Sequence, residues 1–227
     1  EPLVWDGTVD LNWYDPAKTE FHLSTPAELA GLAALVHGMV DDAVTPADKI
    51  LGDASLLVTY PCEDVQLIGA AGVETYDTIY IGAIDFVGCT IYLDADMDLG
   101  GVYDAQTDTW SGPNWTPIGG KYGMDTQSLD DPITLETRFN GVLDGQGHTI
   151  SNMYCNRYTP KGFAYSQCVG FVGYLGSDEY FVQSEYDRGD AFDYATPAAK
   201  EQALFDAGWT PAVRNLVVRG FVYARRM

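Results

Sequence analysis

The feature that most constrains this chain is its division into short apolar runs. Residues 56–60, 78–84, 90–99, 139–143, 149–154, 169–175 and 213–223 are rich in β-branched and aromatic side chains and are set among Gly, Asp and Asn. Most of the runs alternate in places, the pattern of strands with one face buried. Helix signals are few. Thr25-Pro26-Ala27-Glu28 puts an N-cap hydroxyl, a proline at the first helical position and a capping-box Glu ahead of Leu29, Leu32, Leu35 and Val36, and Gly38 supplies a C-cap. Thr45-Pro46-Ala47-Asp48 repeats that start more weakly, and Thr196-Pro197-Ala198 opens a helix expected to end near Gly208. The chain reads as mainly β.

A weak echo runs through the strands. Cys89–Leu93, His148–Met153 and Arg214–Val218 share a polar step followed by alternating apolar residues, at intervals of about sixty residues. Such an interval holds two or three coils of roughly 20–25 residues, and a stack of coils tolerates long connections because only the strands must match. The acidic stretch 177–195 then reads as one excursion from the stack.

Several segments resemble bacterial surface proteins of the GLUG-motif type. Phe139-Asn-Gly-Val-Leu-Asp-Gly-Gln-Gly-His-Thr-Ile-Ser-Asn-Met153 is similar to their F-x-G-x-x-D-G-x-G-H-x-I-x-x-L segment, and Phe21–Ala33 to their F-x-I-x-T-x-x-E-L-A-x-L-A opening. Thr90–Leu99 resembles T-I-x-L-x-x-D-I-D-L, Trp115–Gly119 resembles W-x-P-I-G, and Gly170–Leu175 resembles G-L-F-G-x-L. The chain departs from that pattern at Cys89, where a Lys is usual, along 56–87, and in the insertion 178–209. The resemblance implies a right-handed parallel β-helix with an N-terminal helical cap, on an exported and often cell-wall-attached protein. It implies no catalytic residues. On this reading residues 1–227 form one domain. Residues 1–50 are an N-terminal segment with the cap helix, and 51–227 are β-helix coils with a helical insertion near 196–208 inside the excursion 177–209.

Charge narrows the partners. With 33 acidic and 12 basic residues the net charge is -21, which disfavours nucleic acid and anionic membrane surfaces. The longest apolar run, 29–40, contains His37 and two glycines and is too short to span a bilayer. From Ile50 to Gly120 there are eleven acids and no Lys or Arg. Within that gap Asp94, Asp96 and Asp98 alternate with apolar residues. On a strand they would line one face at intervals of roughly 7 Å, a row suited to calcium, which takes oxygen ligands in irregular geometry. A solvated strand face is the plainer reading. No cofactor is required by any motif, and an EF-hand is excluded because Leu99 stands where the turn glycine would follow.

Asp144-Gly-Gln-Gly-His148 holds a carboxylate and an imidazole but no nucleophile elbow or phosphate loop, so it reads as a tight turn. Trp5, Trp13 and Trp110 are the candidate ligand-binding aromatics, since aromatic platforms beside carboxylates and amides bind sugars. Four cysteines, Cys62, Cys89, Cys155 and Cys168, contain no CxxC pair. If 149–155 and 169–175 are neighbouring coils, their spacing of about 4.8 Å fits a Cys155–Cys168 disulfide, with Cys62 and Cys89 as the second pair.

The start at Glu1 without a basic or apolar leader, and the end within a strand-like run, read as a piece of a longer protein. The expectation is a non-catalytic extracellular module of an adhesin-like cell-surface protein, held to the cell wall through its parent. It would present a β-helical surface to a glycan or protein of a host or neighbouring cell. The alternatives are a dedicated glycan-binding module and a polysaccharide lyase or hydrolase.

Overall fold

The computed structural model describes residues 2–37, 39–40, 58–69, 72–81, 84–124, 133–158, 169–176 and 199–225. In chain order the elements are β1 (Leu3–Val4), β2 (Glu20–Leu23), α1 (Pro26–His37), β3 (Met39–Val40), β4 (Val58–Gly69), β5 (Gly72–Ile81), β6 (Thr90–Leu93) and β7 (Met97–Asp98). They continue with β8 (Val102–Asp104), β9 (Thr109–Ser111), β10 (Gly120–Met124), β11 (Ile133–Thr137), β12 (Val142–Asp144), β13 (Thr149–Tyr158), α2 (Ala199–Asp206), β14 (Ala212–Arg214) and β15 (Val217–Arg225). The weak helix start at 45–48 and residues 177–198 of the excursion 177–209 lie outside the described residues.

Two four-stranded sheets are wholly parallel, in the orders β1-β7-β13-β15 and β14-β12-β6-β2. Their inward rows carry the core. Phe21, Ile91, Leu143 and Val213 stand in register across one sheet, and Met97, Ile150 and Val218 across the other. Phe21, Ile91, Leu143, Met97 and Ile150 are buried, and Trp115, Ile118, Phe139 and Phe86 complete the same cluster. Parallel bridges from Ile118 to Val172 and from Phe139 to Leu175 bring the 171–175 run to that core.

The right-handed parallel β-helix expected over 51–227 is overturned by the rest of the molecule. β3-β5-β4, β8-β9 and β10-β11 are antiparallel, so the architecture is a mixed one of parallel sheets and hairpins with two described helices. The physical reason lies in the turns. β8 and β9 are joined by 105–108, where the Asp104 carboxylate accepts from Gln106 N (2.8 Å) and Thr107 Oγ1 (2.9 Å) and Asp108 takes φ 53°. β4 and β5 are joined by only two residues, since Gly69 pairs with Gly72. Connections this short reverse the chain, whereas a parallel neighbour needs a long crossover.

α1 forms where its capping box lies. Thr25 Oγ1 accepts from Glu28 N at 3.2 Å, and Glu28 Oε2 accepts from Ser24 N at 2.8 Å and Thr25 N at 2.9 Å. Its Leu29, Leu32, Leu35 and Val36 are all buried in the core. Gly31 lets the 10–13 loop cross the helix closely, because a Cβ there would run into the Asp10 carbonyl. Substituting Glu28 by Ala is expected to cost about 1 kcal/mol, since two N–H groups lose their acceptor. Urea unfolding of the variant, with an unchanged slope and a lower midpoint, checks it.

Candidate functional site

The three aspartates do not share a strand. β6 ends at Leu93 and β7 begins at Met97, with a bend at Ala95 between them. Asp94 and Asp96 lie at the corner between the two parallel sheets, and Asp98 in the second sheet. Each is held by a different set of donors. Asp94 Oδ1 accepts from His22 Nδ1 (2.9 Å) and Gln146 Nε2 (3.0 Å). Asp96 Oδ1 accepts from Thr149 N (2.8 Å) and His148 Nδ1 (3.1 Å), and these donors, the backbone one first, hold its carboxyl below the usual range. Asp98 accepts from Gly100 N and Asn152 Nδ2, both at 2.8 Å. The row of oxygens imagined for calcium is therefore broken at the corner. Among the described residues no group of three or more His, Cys, Asp and Glu side chains could hold a metal.

The segment Asp144–His148 is the partner of that corner. Gln146 takes φ 50° and Gly147 φ 89°, and the Asp144 carboxylate accepts from Gln146 N at 3.0 Å. The turn leaves Gln146 Nε2 to bridge Leu93 O (2.9 Å) and Asp94. On its other side Asp144 accepts from Asn215 Nδ2 (3.0 Å) and Arg214 Nε (2.9 Å). Asp6, Asp10, Asp15, Asp85, Asp98 and Asp104 likewise accept the N–H two residues on. Much of the acidity is thus turn chemistry, Asp side chains closing Asx turns.

The candidate aromatics separate. Trp5 is 8% exposed, donates Nε1 to Thr8 O at 2.7 Å and packs edge-on against Trp115. Trp13 packs against Phe21 at 5.2 Å and against Phe86. Trp5 belongs to the interior and Trp13 is half-buried against the same core, so neither forms an open platform of the kind expected for sugar binding. Trp110, on β9, lies on the outer face of the β1-β7-β13-β15 sheet. Its ring stacks on Phe221 at 5.4 Å with planes 11° apart, and Phe221 is stacked with Tyr154 (6.3 Å) and Tyr223 (6.4 Å). Tyr103 adds to the strip at 5.6 Å from Trp110 and is 48% exposed, and Tyr223 is 39% exposed. Asn156 Nδ2 donates to Tyr154 Oη at 2.9 Å, setting an amide beside the rings.

The strip was legible in part. Phe221 and Tyr223 alternate in the last run, but nothing local ties them to Tyr154 or to a hairpin whose Trp110 crosses over them. The His22–Asp94 pair had no local signal, since its members are 72 residues apart.

Cys155 is fully buried, with a free thiol. The disulfide to Cys168 supposed that 149–155 and 169–175 are neighbours. Instead β13 lies between β7 and β15, with Cys155 opposite Val222. Cys168 and the side chain of Cys62 lie outside the described residues, and Cys89 is half-buried.

No family model, curated protein or solved structure matches the chain. No helix among the described residues is long and apolar enough to cross a membrane.

Proposed function

We propose that the chain is a non-catalytic, extracellular binding module of an adhesin-like bacterial surface protein, with the outer aromatic strip as its contact surface and a glycan as its ligand. The observation that carries this reading is the strip itself: five aromatic rings on the outer face of a sheet, with Tyr103 and Tyr223 well exposed. Rings of this kind stack on the C–H faces of pyranoses, and amides and phenols beside them bond hydroxyls. The strip also rests on a rigid support, because β13 and β15 pair along eight positions. The GLUG-type resemblance of segments between 21 and 175 agrees with a surface-exposed setting. Among the described residues Asp94, Asp96, Asp98 and Asp144 are engaged in turn and inter-strand hydrogen bonds, which supports a structural role for them.

A glycan array probed with the purified protein tests the reading. Binding to a defined subset of glycans is expected, with Trp110→Ala lowering affinity at least about tenfold while the melting temperature stays within a few degrees. Binding that survives Trp110→Ala, Tyr103→Ala and Tyr223→Ala unchanged would move the ligand elsewhere.

A further inference from the structure

The aromatic strip has a cation beside it that turn chemistry and packing do not use. Residues 207–227 contain four of the chain's 12 basic residues and no acid, against a net charge of -21. Arg214 is engaged with Asp144 at 2.9 Å. Arg219 is exposed and, among the described residues, has no hydrogen-bond or ion-pair partner. Its face of the sheet is fixed by register. Val218 pairs with buried Ile150 and Gly220 with buried Met153, so both occupy the inward row, and the shift between Ile150 and Met153 is absorbed by β13 at Asn152, with φ 54°. Arg219 between them therefore stands on the outer face, one side-chain step from Phe221 and two from Tyr223.

Among the described residues no carboxylate pairs with this guanidinium, which leaves its donors to solvent. At the edge of an aromatic strip it has a clear use. Arginine presents a planar fork of donors that matches a carboxylate in two parallel hydrogen bonds, while the rings take the sugar face. Resting on the binding-module reading above, we propose that the strip of Trp110, Phe221, Tyr154, Tyr223 and Tyr103 together with Arg219 binds a pyranose that carries a carboxylate, an acidic rather than a neutral glycan. The acid-free run 207–227 sets Arg219 in a locally basic stretch of a chain whose net charge is -21, and a local cation of this kind favours an anionic partner.

Matched pairs of probes test it by calorimetry on the intact chain: oligogalacturonate against its carboxyl-reduced neutral counterpart, and sialyllactose against lactose. For at least one pair the acidic member is expected to bind about tenfold or more tightly than its neutral partner. Arg219→Ala should bring the two within about twofold, and Arg219→Lys should restore only part of the preference because an ammonium lacks the fork. Trp110→Ala should weaken both members alike. Equal binding of acidic and neutral members, or a preference that survives Arg219→Ala, would overturn the acidic assignment and leave the glycan reading standing. Poly-glutamate bound as tightly as the acidic glycan would also overturn it, by reducing the site to bare charge attraction. Failure of every sugar, acidic and neutral, would overturn the glycan reading itself.

Discussion

Truncating Leu143 to Ala is expected to destabilise the protein by about 3 kcal/mol, within the range typical of buried Leu→Ala changes. Leu143 is fully buried on β12, the strand flanked by β6 and β14, and its in-register neighbours are Ile91 and Val213. Strands on both sides hold the row in place, so the site collapses little around the lost atoms. Val218→Ala is the control. It stands in the matching inward row of the other sheet but is 37% exposed at the β15 edge, so its loss is expected to stay below about 1 kcal/mol. Urea unfolding of both variants checks the contrast. Similar losses would mean that the parallel sheets are not packed as described.

Replacing Asp144 is expected to have the second largest effect, about 2 kcal/mol for Asp144→Ala at neutral pH, as a charged acceptor with three donors is removed. The loss falls mainly on the carboxylate side, because its side chain is 11% exposed while that of Arg214 is 56% exposed and stays hydrated. The same residue sets a pH dependence. The hydrogen bond from Asn215, then Gln146 N and then Arg214, hold the Asp144 carboxyl below its usual value. A carboxyl depressed in the folded state contributes stability that is complete above its unfolded value of about 3.9 and is lost as pH falls through the lower folded value. Wild-type stability should therefore decline below about pH 4, and Asp144→Asn should be less stable at pH 7 yet decline less steeply. Thermal unfolding from pH 7 to pH 2.5 tests this. Parallel curves for the two proteins would remove Asp144 from the account. Asp6, Asp96 and Asp104 are depressed for similar reasons, by Thr8, by Thr149 and by Gln106 respectively, and steepen the decline in both proteins alike.

Local chemistry was legible wherever partners sit within a few residues of one another. Thr25-Pro-Ala-Glu28 starts a helix because its hydroxyl and carboxylate reach N–H groups three or four residues away. The turn at 144–148 reads correctly for the same reason, its Asp bonding to the N–H two residues on. The alternation in 90–93, 149–154 and 217–223 marks inward faces, and Ile91, Leu93 and Ile150 are indeed buried.

What the chain's own order of residues could not settle is which strands become neighbours. Alternation looks the same in a hairpin and in a parallel crossover, so the mixed architecture was decided by the lengths and geometry of connections such as 105–108. The aspartate row failed as a shared face because a single bend at Ala95 leaves Asp94 and Asp96 at the corner and only Asp98 in a sheet. Trp5 and Trp110 are alike as residues, yet one is enclosed against Trp115 and the other laid across Phe221. Burial of a ring depends on what the rest of the chain packs over it. Sequence determined the local turns, caps and inward rows, which are short-range and self-contained; the tertiary structure alone decided the pairing of distant strands, and with it the corner that ties His22 to Asp94 and the strip that sets Arg219 beside aromatic rings.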